Sequence, residues 1–133
     1  MTTPYSGWGF DVGHLSADVD MDDHQWKFMT TASTAEYFKV GTGASGPVAL
    51  GVLQDDPRVG EPGSIRVLGE TKVAASGAIG YADLITCGSN GFAIVTTTAC
   101  TNAAGIALSA ITSGSGYITA LLVPCQVLAD NTP

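Results

Sequence analysis

Residues 84–129 contain no Asp, Glu, Lys, Arg or His, an uncharged run of 46 residues. All five basic side chains and eleven of the twelve acids lie in residues 1–83. A chain of 133 residues is one domain's worth. A domain of that size exposes most of its residues to some degree, and soluble surfaces are normally rich in charge. An uncharged third leaves two readings. Either many of its outer faces meet protein, as a subunit or assembly interface, or hydroxyls such as those of Thr96, Thr97, Thr98 and Thr101 cover it. The first reading is the one favoured here.

Composition narrows the class further. Gly, Ala, Thr and Ser make up 59 of the 133 residues, charged residues only 13% and hydrophobic residues 45%. An acidic disordered chain needs the reverse, low hydrophobicity and dense charge. A formal charge of −7 with five basic groups cannot assemble the patch that neutralises a phosphate backbone, so nucleic acid is not an expected partner. The most apolar stretch, residues 117–123, is far shorter than the roughly 18–20 residues of a membrane-spanning helix, so no membrane is expected either. No Lys or Arg precedes Lys27, and no secretory leader is expected.

The pattern along the chain is strand, turn, strand. Apolar or β-branched runs occur at 26–30, 36–40, 48–54, 65–68, 71–74, 83–86, 92–97, 104–110 and 117–123. Gly, Pro, Asn and Ser clusters separate them, and turn signals recur about every 8–12 residues. No stretch sustains a 3.6-residue period. The sequence therefore predicts a mostly β, compact single domain, barrel-like or sandwich-like, with at most one or two short helices, around 32–36 or 79–83. Residues 1–25 read as an extended N-terminal arm and 26–133 as the β-rich domain. The arm carries Tyr5, Trp8 and Phe10 among glycines, and ends in Asp18, Asp20, Asp22 and Asp23. An arm that bears large aromatics packs on something, its own domain or a partner. Gly51 and Gly105 sit inside similar strand-like runs, where glycine marks a bulge or a close backbone approach.

Tests for chemistry are mostly negative. Gly41-Thr42-Gly43-Ala44-Ser45-Gly46 has the spacing GxGxxG after a strand. A dinucleotide loop must open a helix whose N-terminus holds the pyrophosphate. Here Pro47 and another β-like run follow, so a hairpin loop is expected. The acids at 18–23 begin like a calcium loop, but its sixth position holds Asp23 where Gly is required and its twelfth Met29 where Glu is required. Cys87, Cys100 and Cys125 show no CxxC pair, and His14 and His24 are the only histidines. That set fits neither a zinc site nor a disulfide framework. The cysteines read as small buried hydrophobes in a reducing compartment, with no neighbouring cation to make a reactive thiolate. No GxSxG elbow occurs, and Asp55-Asp56 sit before Pro57 in a turn. No enzymatic activity, cofactor or metal is expected.

An ordered series of fragments carries a resemblance. It comprises Gly51-Val52-Leu53-Gln54, Asp56-Pro57, Gly60-Glu61, Ile65-Arg66-Val67-Leu68-Gly69, Thr71-Lys72-Val73, Gly77-Ala78-Ile79, Asp83-Leu84-Ile85-Thr86, Gly91, Gly105-Ile106-Ala107-Leu108 and a closing strand at 118–123. Over residues 36–124 this order resembles the small capsid cement, or head decoration, proteins of tailed bacteriophages. The family often places Gly before the Asp of its Gly-Asp-Leu/Val step, where this chain has Ala82 before Asp83. The resemblance implies a β-rich structural protein on the exterior of the virion capsid, made in the cytoplasm of a bacterial host. It implies the major capsid protein and further copies of the chain as partners, commonly in homotrimers, and no catalysis. Trp8, Phe10 and Trp26 then become candidate anchors on capsid or neighbouring subunit, unless Trp26 with Phe28 covers the domain's own core. Ile106, Leu108, Ile118 and Leu121 become candidates for core or trimer contact. Arg66 and Lys72 are expected to pair with Glu61 or Glu70. The competing reading is a free β-rich module for carbohydrate or receptor, which would want exposed Trp and Tyr clustered on one face.

Overall fold

The computed structural model describes residues 8–43, 49–96 and 103–123. Ten strands follow in chain order: β1 Gly9–Val12, β2 Ser16–Ala17, β3 Phe28–Thr31, β4 Tyr37–Val40, β5 Gly51–Leu53, β6 Ile65–Ser76, β7 Leu84–Cys87, β8 Ala93–Val95, β9 Gly105–Ala107 and β10 Ser115–Leu122. One 3-10 turn, Ser89–Gly91, joins β7 to β8. The expected β class is what forms. Residues 32–36 and 79–83, the two places where the sequence allows a short helix, form turns. The first closes through Ala32 N–H to Tyr37 O (3.0 Å), with Glu36 in the left-handed region (φ 65). The second closes through Asp83 N–H to Gly80 O (3.1 Å), and the Asp83 carboxylate accepts Gly80 N–H (2.7 Å). Five residues are too few to repay helix nucleation, and in the second segment the bond from Gly80 N–H to the Asp83 carboxylate favours the turn.

Five strands close a barrel in the order β6, β10, β9, β7, β8 and back to β6. Four junctions are antiparallel, and β8 returns to β6 by a parallel step at Ala93 and Ala75. Five strands leave a narrow interior, which small side chains must help to fill. Ala75, Ala93, Ala107 and Ala120 accordingly share the core with Val52, Val73, Ile79, Ile85, Ile118 and Leu122. The alanine-rich composition is thus a packing requirement. Backbones also pass closely here. A Cβ at Gly105 would overlap the Leu121 carbonyl, and one at Gly51 would stand 2.8 Å from the Arg66 carbonyl carbon.

The second half of the sheet leaves the barrel along β6, in the order β5, β3, β4, β2, with β1 on the other edge of β6. Its separate core holds Ala17, Met21, Met29, Phe38, Leu53 and Ile65. The runs at 65–68 and 71–74, read as two strands, are one 12-residue strand that serves both halves. It bends near Gly69. Gln54 N–H bonds to Ser64 O, yet the Gln54 side chain donates to Thr71 Oγ1 (2.9 Å). Seven residues of straight strand would separate those partners by about 23 Å. Gly69 makes the bend with φ 108, a conformation that side chains with a Cβ rarely adopt. On one edge of β6, β10 ends at Gly69 opposite Leu122, and β1 begins there opposite Gly9.

Residues 8–25 are laid on this frame. β1 pairs with β6, β2 pairs in parallel with β4, and Ala17 and Met21 are fully buried. The GxGxxG segment differs from its expected form. β4 and β5 pair with opposite edges of β3, so they are not the two strands of a hairpin. Residues 44–48, between β4 and β5, lie outside the described residues.

Candidate functional site

Two exposed apolar features stand out on the surface. The first is on β1. Trp8, just ahead of it, is 71% exposed and Phe10 is 60% exposed, and their rings meet edge to face at 5.8 Å. β1 is held only along one side: among the described residues it pairs with β6 alone. Its anchorage is polar. Arg66 Nε donates to Asp11 Oδ1 at 2.8 Å, and Ser64 Oγ donates to Asp11 Oδ2 at 3.0 Å. The Arg66 hydrogen bond holds the Asp11 carboxyl below the ordinary range, against a smaller opposing effect of burial. Arg66 also donates from Nη1 to the Glu70 backbone carbonyl (3.0 Å), and it forms an ion pair with Asp11, a partner the sequence did not suggest. The reason is register: Asp11 lies directly opposite Arg66 across the β1–β6 pair.

The second feature lies on the outer wall of the barrel. Leu84 on β7 is opposite Ile106 on β9, and Ile106 is opposite Leu121 on β10. The three form a cross-strand row, with Leu108 two residues beyond Ile106. Leu84, Leu108 and Leu121 are each more than a third exposed, and Ile106 is half-buried. No residue of β7, β8, β9 or β10 is charged. Three of the four sequence-selected candidates therefore come together here, while Ile118 does not join them. Strand alternation turns Ile118 inward, where it is 2% exposed among the barrel core residues. Leu84 was not among the candidates. Its position at the head of the uncharged run was visible, but the strand register that puts it beside Ile106 was not.

Trp26 is buried, 3% exposed, in a left-handed turn (φ 73). Its N–H donates to Leu53 O (2.8 Å) and its carbonyl accepts Ala74 N–H (2.7 Å), which ties β5 to the barrel half of β6. The Lys72 ammonium stands 5.4 Å from its ring centre and 4.5 Å from that of Tyr117. Lys72 is thus engaged with aromatic faces rather than with Glu61 or Glu70. The other exposed aromatics among the described residues, Tyr81 in the β6–β7 turn and Tyr117 on β10, belong to elements other than β1.

The reactive side chains stay apart. Among the described residues, no three His, Cys, Asp or Glu side chains come together as metal ligands would. Asp20 Oδ1 accepts Val59 N–H (2.8 Å), so one acid of the 18–23 cluster pins a turn. His24 Nδ1 lies 3.2 Å from Lys27 Nζ, and burial, then the Lys27 charge, lowers its pKa. The Cys87 thiol is buried and donates to Gly88 O (3.3 Å), and burial pushes its pKa up, away from thiolate chemistry. Cys100 and Cys125 lie outside the described residues. No described helix is long and apolar enough to cross a membrane.

The chain matches no protein-family model and no curated protein. Its fold is similar to that of the head fiber gp8.5 N base of bacteriophage phi29, known from a crystal structure. The TM-score is 0.65 at 17% sequence identity, and the match covers 88% of this chain and 98% of that one. The fold over 88% of the chain therefore has a counterpart in a phage head fiber base.

Proposed function

We propose that the protein is a structural component of a phage virion that binds the outer surface of the assembled head and stabilises it through protein–protein contacts. The observation that carries this reading is the exposed Trp8–Phe10 pair, carried by β1 and the residue before it in a fold similar to that of a phage head fiber base. Paired aromatics supply large contact area at low side-chain entropic cost, which is the usual make-up of an interface anchor. The partner is the major capsid protein, and the chain acts as a homo-oligomer, a trimer in the family it resembles. A protein that binds only the assembled lattice shifts the equilibrium toward that lattice by mass action. Many identical sites on one shell, occupied by multivalent oligomers, raise avidity without new contacts. The charge of −7 keeps the free protein soluble until it meets the head.

Co-sedimentation with heads of the encoding virus, prepared without this protein, tests the reading. Saturable binding is expected, and Trp8→Ala and Phe10→Ala should each weaken it about tenfold or more, the effect of losing an interface anchor. Absence of binding by the folded wild-type chain would overturn the proposal. Binding unchanged in the double variant would remove β1 as the anchor.

A further inference from the structure

We infer that the outer wall of the barrel, centred on the Leu84–Ile106–Leu121 row with Leu108, is the surface through which copies of this chain associate with one another. The inference rests on the self-association in the reading above and names the surface that carries it.

The row spans three adjacent strands that are hydrogen-bonded within a closed barrel, so it is a rigid, preformed surface. Strands lie about 4.8 Å apart, which makes the row roughly 10 Å wide between its outer members. Four side chains cover only part of the about 800 Å² that each partner of a stable interface buries. The surrounding residues Thr96, Ser109, Ala110, Thr119 and Val123 extend it, all of them uncharged and at least partly exposed. An apolar centre with an uncharged hydroxyl-bearing rim is how the middle of a lasting subunit contact is built.

Charge decides the occupant. No side chain of β7 to β10 can form an ion pair, so a charged partner surface would lose its hydration there with no compensation. The occupant must itself present an uncharged apolar face. Each copy of this chain carries −7, with all but one charged residue in residues 1–83. Two copies that meet through the wall of β7, β9 and β10 bring their uncharged strands together and keep most carboxylates of residues 1–83 away from the contact, with Glu70, opposite Leu121, and Asp83, beside Leu84, at its margin. The same face on a second copy therefore meets both requirements, apolar content and least repulsion. It also leaves Trp8 and Phe10 available for another partner.

The test is sedimentation equilibrium of the full chain without heads, on the wild type and on Leu121→Lys, Leu84→Lys and Trp8→Ala. In Leu121→Lys the new ammonium faces Glu70 across the β10–β6 pair, a placement compatible with folding. The wild type should form a defined oligomer. Each Lys variant should weaken association about 100-fold or more while keeping its far-ultraviolet spectrum, and Trp8→Ala should associate like the wild type. Hydroxyl-radical footprinting of the wild type needs no variant to fold. Leu84, Leu108 and Leu121 should lose reactivity as concentration rises through the association range, while Phe10 keeps it. A wild type that stays monomeric at the highest soluble concentration, Lys variants that associate unimpaired, or footprints that do not change would each overturn the inference. A chain that associates through this face yet ignores heads would sink the virion reading alone, and a monomer that binds heads would sink this inference alone.

Discussion

Replacing Gly69 by Ala should separate the β1 strap from the barrel. Gly69 is the point where β6 bends, where β10 ends and where β1 begins. Its φ of 108 is costly for any residue with a Cβ, by about 1–3 kcal/mol. The added carbon would also stand 2.6 Å from the Gly9 Cα, a backbone atom that cannot rotate away. Overpacking of that kind adds about 1–3 kcal/mol when the structure must absorb it. The chain has a cheaper escape. β1 is four residues long, is held to β6 by one ladder and the Asp11 contacts, and contributes none of the residues buried in either core. The expected result is that β1 lets go while the barrel stays folded, with global stability lowered by about 1–3 kcal/mol for the strained φ that remains. Urea unfolding followed by far-ultraviolet circular dichroism gives the stability, and amide exchange at Phe10 and Val12 reports the strap. Stability within about 0.5 kcal/mol of the wild type, with β1 amides still protected, would refute the role assigned to Gly69.

Three further outcomes are expected. Ala82, at φ 70, stands where the resembled family often has Gly, and Ala82→Gly should raise stability by about 0.5–1 kcal/mol in urea unfolding, the strain relieved outweighing the added chain entropy. Asp11 and Asp55 should pull the acid limb of the stability–pH curve in opposite directions. Asp11, lowered chiefly by the Arg66 hydrogen bond, contributes stability above its unfolded pKa of about 3.9 that is lost as pH falls through the lower folded value, so Asp11→Asn should cost under about 1 kcal/mol at pH 7 and progressively less as the solution is acidified. Asp55, raised chiefly by burial, contributes stability below about pH 3.9 that is lost as pH rises through the higher folded value, so Asp55→Asn should be neutral or stabilising at pH 7, where stability against pH by denaturant titration measures both variants. Cys87, buried and with a raised pKa, should resist iodoacetamide in the folded protein and react fully in denaturant, as read by peptide mass mapping.

Local features of the fold were legible where they depend on neighbouring residues. β4, β7 and β10 lie within one or two residues of the alternating or β-branched runs that announce them, and Ser89-Asn90-Gly91 makes its turn where Asn and Gly occur. The glycines at 51 and 105 mark close backbone approaches, as their place inside strand-like runs suggests. Long-range pairing was not legible. Gly69-Glu70 looks like a break between two strands, yet hydrogen bonds from β1, β5 and β10 carry one bent strand through it. The same limit governs the surface. Trp26 and Trp8 are equally aromatic in sequence, and only the bonds from Trp26 to Leu53 and Ala74 decide that one is buried and the other is not. Ile106 and Ile118 sit in similar apolar runs, and strand phase alone sends one outward and the other into the barrel.

Cryo-electron microscopy of heads from the encoding virus, saturated with the protein, tests the central claim most directly. The account predicts ordered density for the barrel on the outer face of the shell, with β1 and its Trp8–Phe10 pair turned toward the capsid protein and the β7–β9–β10 wall turned toward a neighbouring copy. Heads without added density, or a barrel seated on the shell with β1 pointing into solvent, would contradict it.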